Sequence, residues 1–230
     1  MVAETLIALF SLITLEVILG IDNIIFISIL ADKLPESQRD KLRYWGIVLA
    51  MLIRLCLLGV ISWILKLDSE LFKMFDISFS GKGLILLFGG LFLLYKSTKE
   101  IFYSTEHENH HESDIVKKSS FSKLLSEIII LDLVFSIDSI ITAVGMVKEL
   151  WIMYAAVVTA VCIMLIASKP ISKFIQKHPS FKILALCFLM MIGVSLIGEG
   201  LHFAIPKGYI YFSMAFAFIV DVIQMKKLKK

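Results

Sequence analysis

Long apolar runs alternate along this chain with short polar stretches rich in lysine and arginine. A membrane-spanning helix needs about 20 mainly apolar residues. Seven runs qualify: residues 6–30, 44–65, 82–102, 124–147, 150–168, 183–203 and 208–225. The third is the weakest, because its apolar run ends at Tyr95 and Lys96 must snorkel to the surface or face the interior. Pro35, Pro170, Pro179 and Pro206 all fall between these runs, where a missing N–H costs least. The pattern predicts an all-α polytopic membrane protein with seven transmembrane helices. No connection is long enough to form a soluble domain, so residues 1–230 read as one transmembrane domain.

Composition agrees with that class. Hydrophobic residues make up 58% of the 230, charged residues only 19%, and the mean hydropathy is +0.87. A soluble domain would be about 45–50% apolar and about 25% charged. The net charge of +3 matters less than where the basic residues lie. The connections after spans one, three and five, with the C-terminal tail, hold 17 of the 23 lysines and arginines. The other compartments hold five, and Arg54 lies within span two. The positive-inside rule then places the N-terminus outside and the C-terminus in the cytoplasm of a multi-pass plasma-membrane protein. The start, Met1-Val2-Ala3-Glu4, has no basic n-region, so no cleaved signal peptide is expected. Cys56, Cys162 and Cys187 occur singly in apolar segments and read as small core residues rather than a disulfide or metal framework.

Two of the apolar runs carry the same acidic signature, the second 116 residues after the first. Span one reads Leu15-Glu16-Val17-Ile18-Leu19-Gly20-Ile21-Asp22-Asn23. Span four reads Leu131-Asp132-Leu133-Val134-Phe135-Ser136-Ile137-Asp138-Ser139. A carboxylate in mid-membrane costs about 3 kcal/mol or more, so four at matched positions require a purpose. With the orientation above, the two signatures run in opposite directions through the bilayer. Residues 6–102 and 124–203 therefore read as inverted three-helix repeats, joined by a cytoplasmic linker over 103–123 and followed by a seventh helix at 208–225. Transporters of this architecture bind their cargo near the midplane, where the repeats meet. A weaker echo matches Gly90 and Lys96 in span three to Gly193 and Glu199 in span six.

The candidate ligands are Glu16, Asp22, Asp132 and Asp138, with Asn23, Ser139 and Glu199 as further oxygen donors. Residues six apart on a helix lie ~120° apart. Both acids of one span would share a cavity only if the helix unwinds near Gly20 or Ser136, so both helices are expected to be irregular there. An oxygen-only set suits Mg²⁺, Ca²⁺ or Mn²⁺ rather than zinc or copper. Arg54 and Lys96 are candidate counter-charges. Asp221, toward the cytoplasmic end of span seven, is either a gating group or an acid solvated beside Lys226 and Lys227. His107, His110 and His111 belong either to a plain polar linker or to a loop that collects transition metal from the cytosol, and their spacing fits no closed tetrahedral site. The C-terminal lysines suit anionic lipid rather than nucleic acid. No nucleophile–base pair, phosphate loop or redox pair is present in the pattern, which argues against an enzyme.

These residues resemble those of the TerC family of integral membrane proteins, grouped with the LysE-type exporters. The resemblance covers essentially the whole chain. It rests on Glu16 to Ile25, Gly89-Gly90-Leu91-Phe92-Leu93-Leu94-Tyr95-Lys96 with Thr98-Lys99-Glu100, Asp132 to Ile141, and Ser195-Leu196-Ile197-Gly198-Glu199-Gly200 continuing to Tyr211. It implies a bacterial plasma-membrane protein of about seven spans that exports manganese, with Asp22 and Asp138 as the central ligands. That export would either relieve excess Mn²⁺ or supply metal to secreted enzymes, the latter with secretion-machinery or exoenzyme partners. Two alternatives stand beside it: an exporter of basic amino acids, and a membrane scaffold that aids metallation or secretion without transporting.

Overall fold

The computed structural model describes residues 2–60, 70–74, 77–106, 120–147, 149–203 and 205–228. Seven helices occur among them: α1 (Val2–Ala31), α2 (Glu36–Gly59), α3 (Gly81–Glu106), α4 (Phe121–Met146), α5 (Leu150–Lys177), α6 (Pro179–Gly200) and α7 (Lys207–Leu228). Six of these are long and apolar enough to cross a membrane, and α3 is not among the six. The expectation of an all-α chain needs one amendment. Strands β1 (Glu70–Met74) and β2 (Ile77–Ser80) form an antiparallel ribbon ahead of α3, with Phe72 opposite Phe79 and a register shift between Glu70 and Phe72. The expected metal-collecting His107, His110 and His111 lie outside the described residues.

Local chemistry moves several helix ends away from the hydropathy boundaries. The second apolar run starts at residue 44, yet α2 starts at Glu36, directly after Pro35, whose φ is −54°. The added turns are polar and useful: Arg39 donates from Nε to the Leu34 carbonyl at 2.9 Å and from Nη2 to the Asp32 carbonyl at 3.3 Å. It thereby satisfies acceptors beyond the C-terminus of α1, which the helix itself leaves unpaired. Pro170 does not separate spans, as hydropathy suggested. It lies inside α5, which continues to Lys177. The following segment keeps one buried face through Ser172 and Ile175, and that packing holds the helix past a missing N–H. Pro179 fits the usual rule, as it opens α6. The three cysteines are exposed on helix surfaces rather than in the core, a correction to their reading as core residues.

The chain divides into two compact bodies. The first comprises α1, α2, α4 and α5 as far as Phe174; in it α2 packs against both α1 and α4, and α1 against α4. Asn23 reaches Asp132, while Leu12 and Glu16 line a small cavity with Ile140 and Ala143. Higher numbers on α1 thus meet lower numbers on α4, so the two signature helices run antiparallel.

The second body comprises the ribbon, α3, α6 and α7. Here α3 and α6 are antiparallel along their whole length. Lys82 pairs with Glu199 at 3.2 Å at one end, and Lys182 approaches Glu100 at 4.0 Å at the other. Between them the backbones nearly touch: a Cβ on Gly90 would lie 2.6 Å from the Gly193 carbonyl oxygen, and one on Gly200 would lie 2.6 Å from that of Gly83. Glycine is required here for close approach, as in small-residue seams between membrane helices. Ser97, buried seven residues after Gly90, extends the small-residue face.

Gly90→Ala is expected to destabilise the protein by about 1–3 kcal/mol, because the clash is with backbone rather than a flexible side chain. Gly208→Ala, where no heavy atom lies within 4 Å, is the control. Thermal unfolding in detergent reads both; equal midpoints would refute the seam.

Candidate functional site

The predicted breaks in the signature helices are absent: α1 is helical from Val2 to Ala31 and α4 from Phe121 to Met146. The residues chosen as break points have other tasks. Gly20 lies against the sulfur of Met164, so its missing side chain lets α5 approach α1. Ser136 donates its hydroxyl to Asp132 Oδ2 at 3.1 Å, one turn back on α4.

Intact helices divide the acids by face. Glu16 and Asn23 are seven residues apart and so lie on one face of α1, while Asp22 is ~100° around from Asn23. That first face is engaged. Arg54 of α2 donates from Nη1 to Glu16 Oε2 at 2.5 Å and from Nη2 to Asp132 Oδ1 at 3.0 Å. Asn23 donates from Nδ2 to the same Asp132 oxygen at 3.2 Å. With Ser136 on the other oxygen, Asp132 receives donors from α1, α2 and α4. The three charged side chains are only 3–4% exposed. Burial at that level is tolerated only when charges are paired and hydrogen-bonded, and this network provides both.

Asp22 and Asp138 are each 6% exposed, and Asp138 is engaged by a partner. Among the described residues no hydrogen bond or ion pair engages Asp22. Ser139 turns its hydroxyl to the Ser136 carbonyl at 3.3 Å, and Thr142 donates to the Asp138 carbonyl at 3.0 Å. These local bonds leave Asp138 on a regular helix. No three His, Cys, Asp or Glu side chains converge as a ready metal site among the described residues. The four signature acids therefore do not gather as one cluster: Glu16 and Asp132 are brought together, around Arg54.

The remaining candidates belong to the second body. Glu199 is held between Lys82 at 3.2 Å and Lys207 at 3.9 Å. It is the penultimate residue of α6, whose end has Phe203 N–H bonded to the Gly198 carbonyl, His202 N–H bonded to the Glu199 carbonyl, and His202 at φ 64°. This is a Schellman termination with histidine where glycine is usual. Lys96 lies over the Phe92 ring, 5.6 Å from its centre. Asp221 accepts a hydrogen bond from Ser180 of α6 at 3.2 Å.

Sequence reading passed over Glu127, a further acid in α4 that is 8% exposed and engaged by a partner. An acid inside an apolar run was the available signal. It also passed over Ser136 as a hydrogen-bond donor, for which the i, i+4 spacing from Asp132 was the clue.

The family model described as "Integral membrane protein TerC family" matches residues 1–228. A UPF0053 protein of Haemophilus influenzae is 51% identical over 229 residues, which is 99% of this chain and 97% of that protein. The UPF0053 inner membrane protein YoaE of Escherichia coli is 51% identical over 214 residues, and the UPF0053 protein YegH of the same species is 48% identical over 215. The matches cover 93% and 94% of this chain but only 41% of each of those two proteins, so the chain spans about two fifths of their length. No solved structure matches it. The apolar helices and the inner-membrane relatives together support a multi-pass protein of the bacterial inner membrane. On the whole-length family match and these identities, the chain belongs to the TerC family of integral membrane proteins.

Proposed function

We propose that this protein exports a divalent cation, Mn²⁺ first among them, with Asp22 and Asp138 as the carboxylates that meet the cargo. The observation that carries the reading is a buried carboxylate, Asp22, with no hydrogen bond or ion pair among the described residues. Such a group is expensive in a membrane unless a cation or proton joins it. Its counterpart Asp138 holds the matching place on an antiparallel helix. Oxygen ligands favour Mn²⁺, Mg²⁺ or Ca²⁺. Manganese is the cargo that the family resemblance implies.

In this reading residues 6–102 and 124–203 are inverted repeats, with the N-terminus outside and the basic tail in the cytoplasm. Alternating access exposes the two aspartates to each side in turn. Cation leaves as they take up protons, which couples export to inward proton flow. The expected result is lower cell-associated manganese and higher manganese tolerance in cells that make the protein, with both effects lost in Asp22→Asn. Unchanged manganese content on expression would sink the proposal. An export rate indifferent to a collapsed pH gradient would remove the coupling alone.

A second reading, export of basic amino acids, draws on the guanidinium already held between Glu16 and Asp132. Competition separates the two, since arginine or lysine should inhibit such an exporter and Mn²⁺ should not.

A further inference from the structure

We infer that Arg54 is a resident cation that withdraws Glu16 and Asp132 from the cargo site, and that the two acids with Asn23 and Ser136 form a structural lock between α1, α2 and α4 that excludes Asp22. The inference deepens the function proposed above and rests on it.

The first line of support is occupancy. Arg54 spans the two acids with one nitrogen on each, at 2.5 and 3.0 Å. Both oxygens of Asp132 have donors: Arg54 and Asn23 on Oδ1, Ser136 on Oδ2. A divalent ion entering between Glu16 and Asp132 would have to displace a guanidinium that is 3% exposed, or sit beside it as a like charge. Guanidinium does not lose its proton in proteins, so the lock cannot release its acids by deprotonation.

The second line is mechanical. The donors to Asp132 come from α1, α2 and α4, and Glu16 ties α1 a second time through Arg54. α1 is thus gripped at positions 16 and 23, two turns apart on one face. Asn23 belongs to that gripped face, and its neighbour Asp22 lies ~100° around the helix, outside it. The acidic signature then has a division of labour. The first acid of each copy joins the lock, and on α1 the second, Asp22, is left for cargo.

The test is Mn²⁺ binding stoichiometry, read by isothermal titration of the purified full chain with Mn²⁺ alone, alongside thermal unfolding of each variant. The wild-type chain is expected to bind one ion. Glu16→Gln should keep that ion, with affinity changed by about threefold or less. Asp22→Asn should lose it. Arg54→Met frees two carboxylates and should gain a second ion, while Arg54→Met with Glu16→Gln should return to one. Loss of the ion in a Glu16→Gln chain that still folds would overturn the inference and leave the proposed function standing. So would an Arg54→Met chain that folds and still binds one. Should Arg54→Met fail to fold, Glu16→Gln and the double variant decide. A wild-type chain that binds no divalent ion would overturn the proposed function, and the lock as a partition of ligands with it.

Discussion

Replacing Arg54 with alanine is expected to cost about 3–5 kcal/mol of stability, because it leaves two buried carboxylates without their counter-charge. Glu16 and Asp132 are each 4% exposed in their side chains, so water cannot take over the role of the guanidinium. The size of the effect follows from that asymmetry. A buried ion pair adds little over well-packed apolar groups, but half of one is costly. The charge-balanced variant Arg54→Met with Glu16→Gln should therefore lose markedly less than Arg54→Ala, although it alters more atoms. Thermal or denaturant unfolding in detergent compares the two directly. Equal losses would mean that Arg54 acts through its bulk and not its charge.

Asp22→Asn is expected to separate function from stability. Transport of Mn²⁺ should fall by about tenfold or more, which corresponds to ~1.4 kcal/mol or more of lost cation binding. Stability should hold or rise, since a neutral amide costs less to bury than a carboxylate without a partner. Groups kept for function often show this opposition, where removing them stabilises the fold. The same change at Asp132 should do the reverse, weakening the fold through the lost bonds to Arg54, Asn23 and Ser136. A stability loss at Asp22 as large as that at Asp132 would make both acids structural and remove the distinction between them.

The helices were legible in the sequence because a bilayer admits few other ways to satisfy the backbone. Among the described residues each of the seven apolar runs overlaps one helix, and the signature acids stood out because charge is rare in such runs. What hydropathy misses is amphipathic helix. The polar turn from Glu36 is tied through Arg39 to the end of α1, and the stretch after Pro170 keeps one buried face, neither of which an apolar average registers. The division of the acids was partly visible. A spacing of six implies two faces of a straight helix, yet the assumption of one shared site turned that into a predicted break. Arg54 decides the matter, because a guanidinium within reach of both Glu16 and Asp132 gives one face its own purpose. Gly20 reads equally as a break or as a close approach until Met164 is seen against it. The match of Gly90 to Gly193 was noticed as a repeat echo, but its meaning depends on the antiparallel pairing of α3 with α6. The ribbon before α3 left no signal that the apolar pattern could carry.

The account rests centrally on Asp22 and Asp138 carrying a divalent cation through the membrane. The most direct measurement is Mn²⁺ flux into liposomes that contain only this protein, beside liposomes with Asp22→Asn and empty ones. The account predicts flux with the wild-type chain, none above the empty vesicles with the variant, and no inhibition by arginine or lysine. Wild-type vesicles no more permeable to Mn²⁺ than empty ones would contradict it and favour a scaffold that works only with partners.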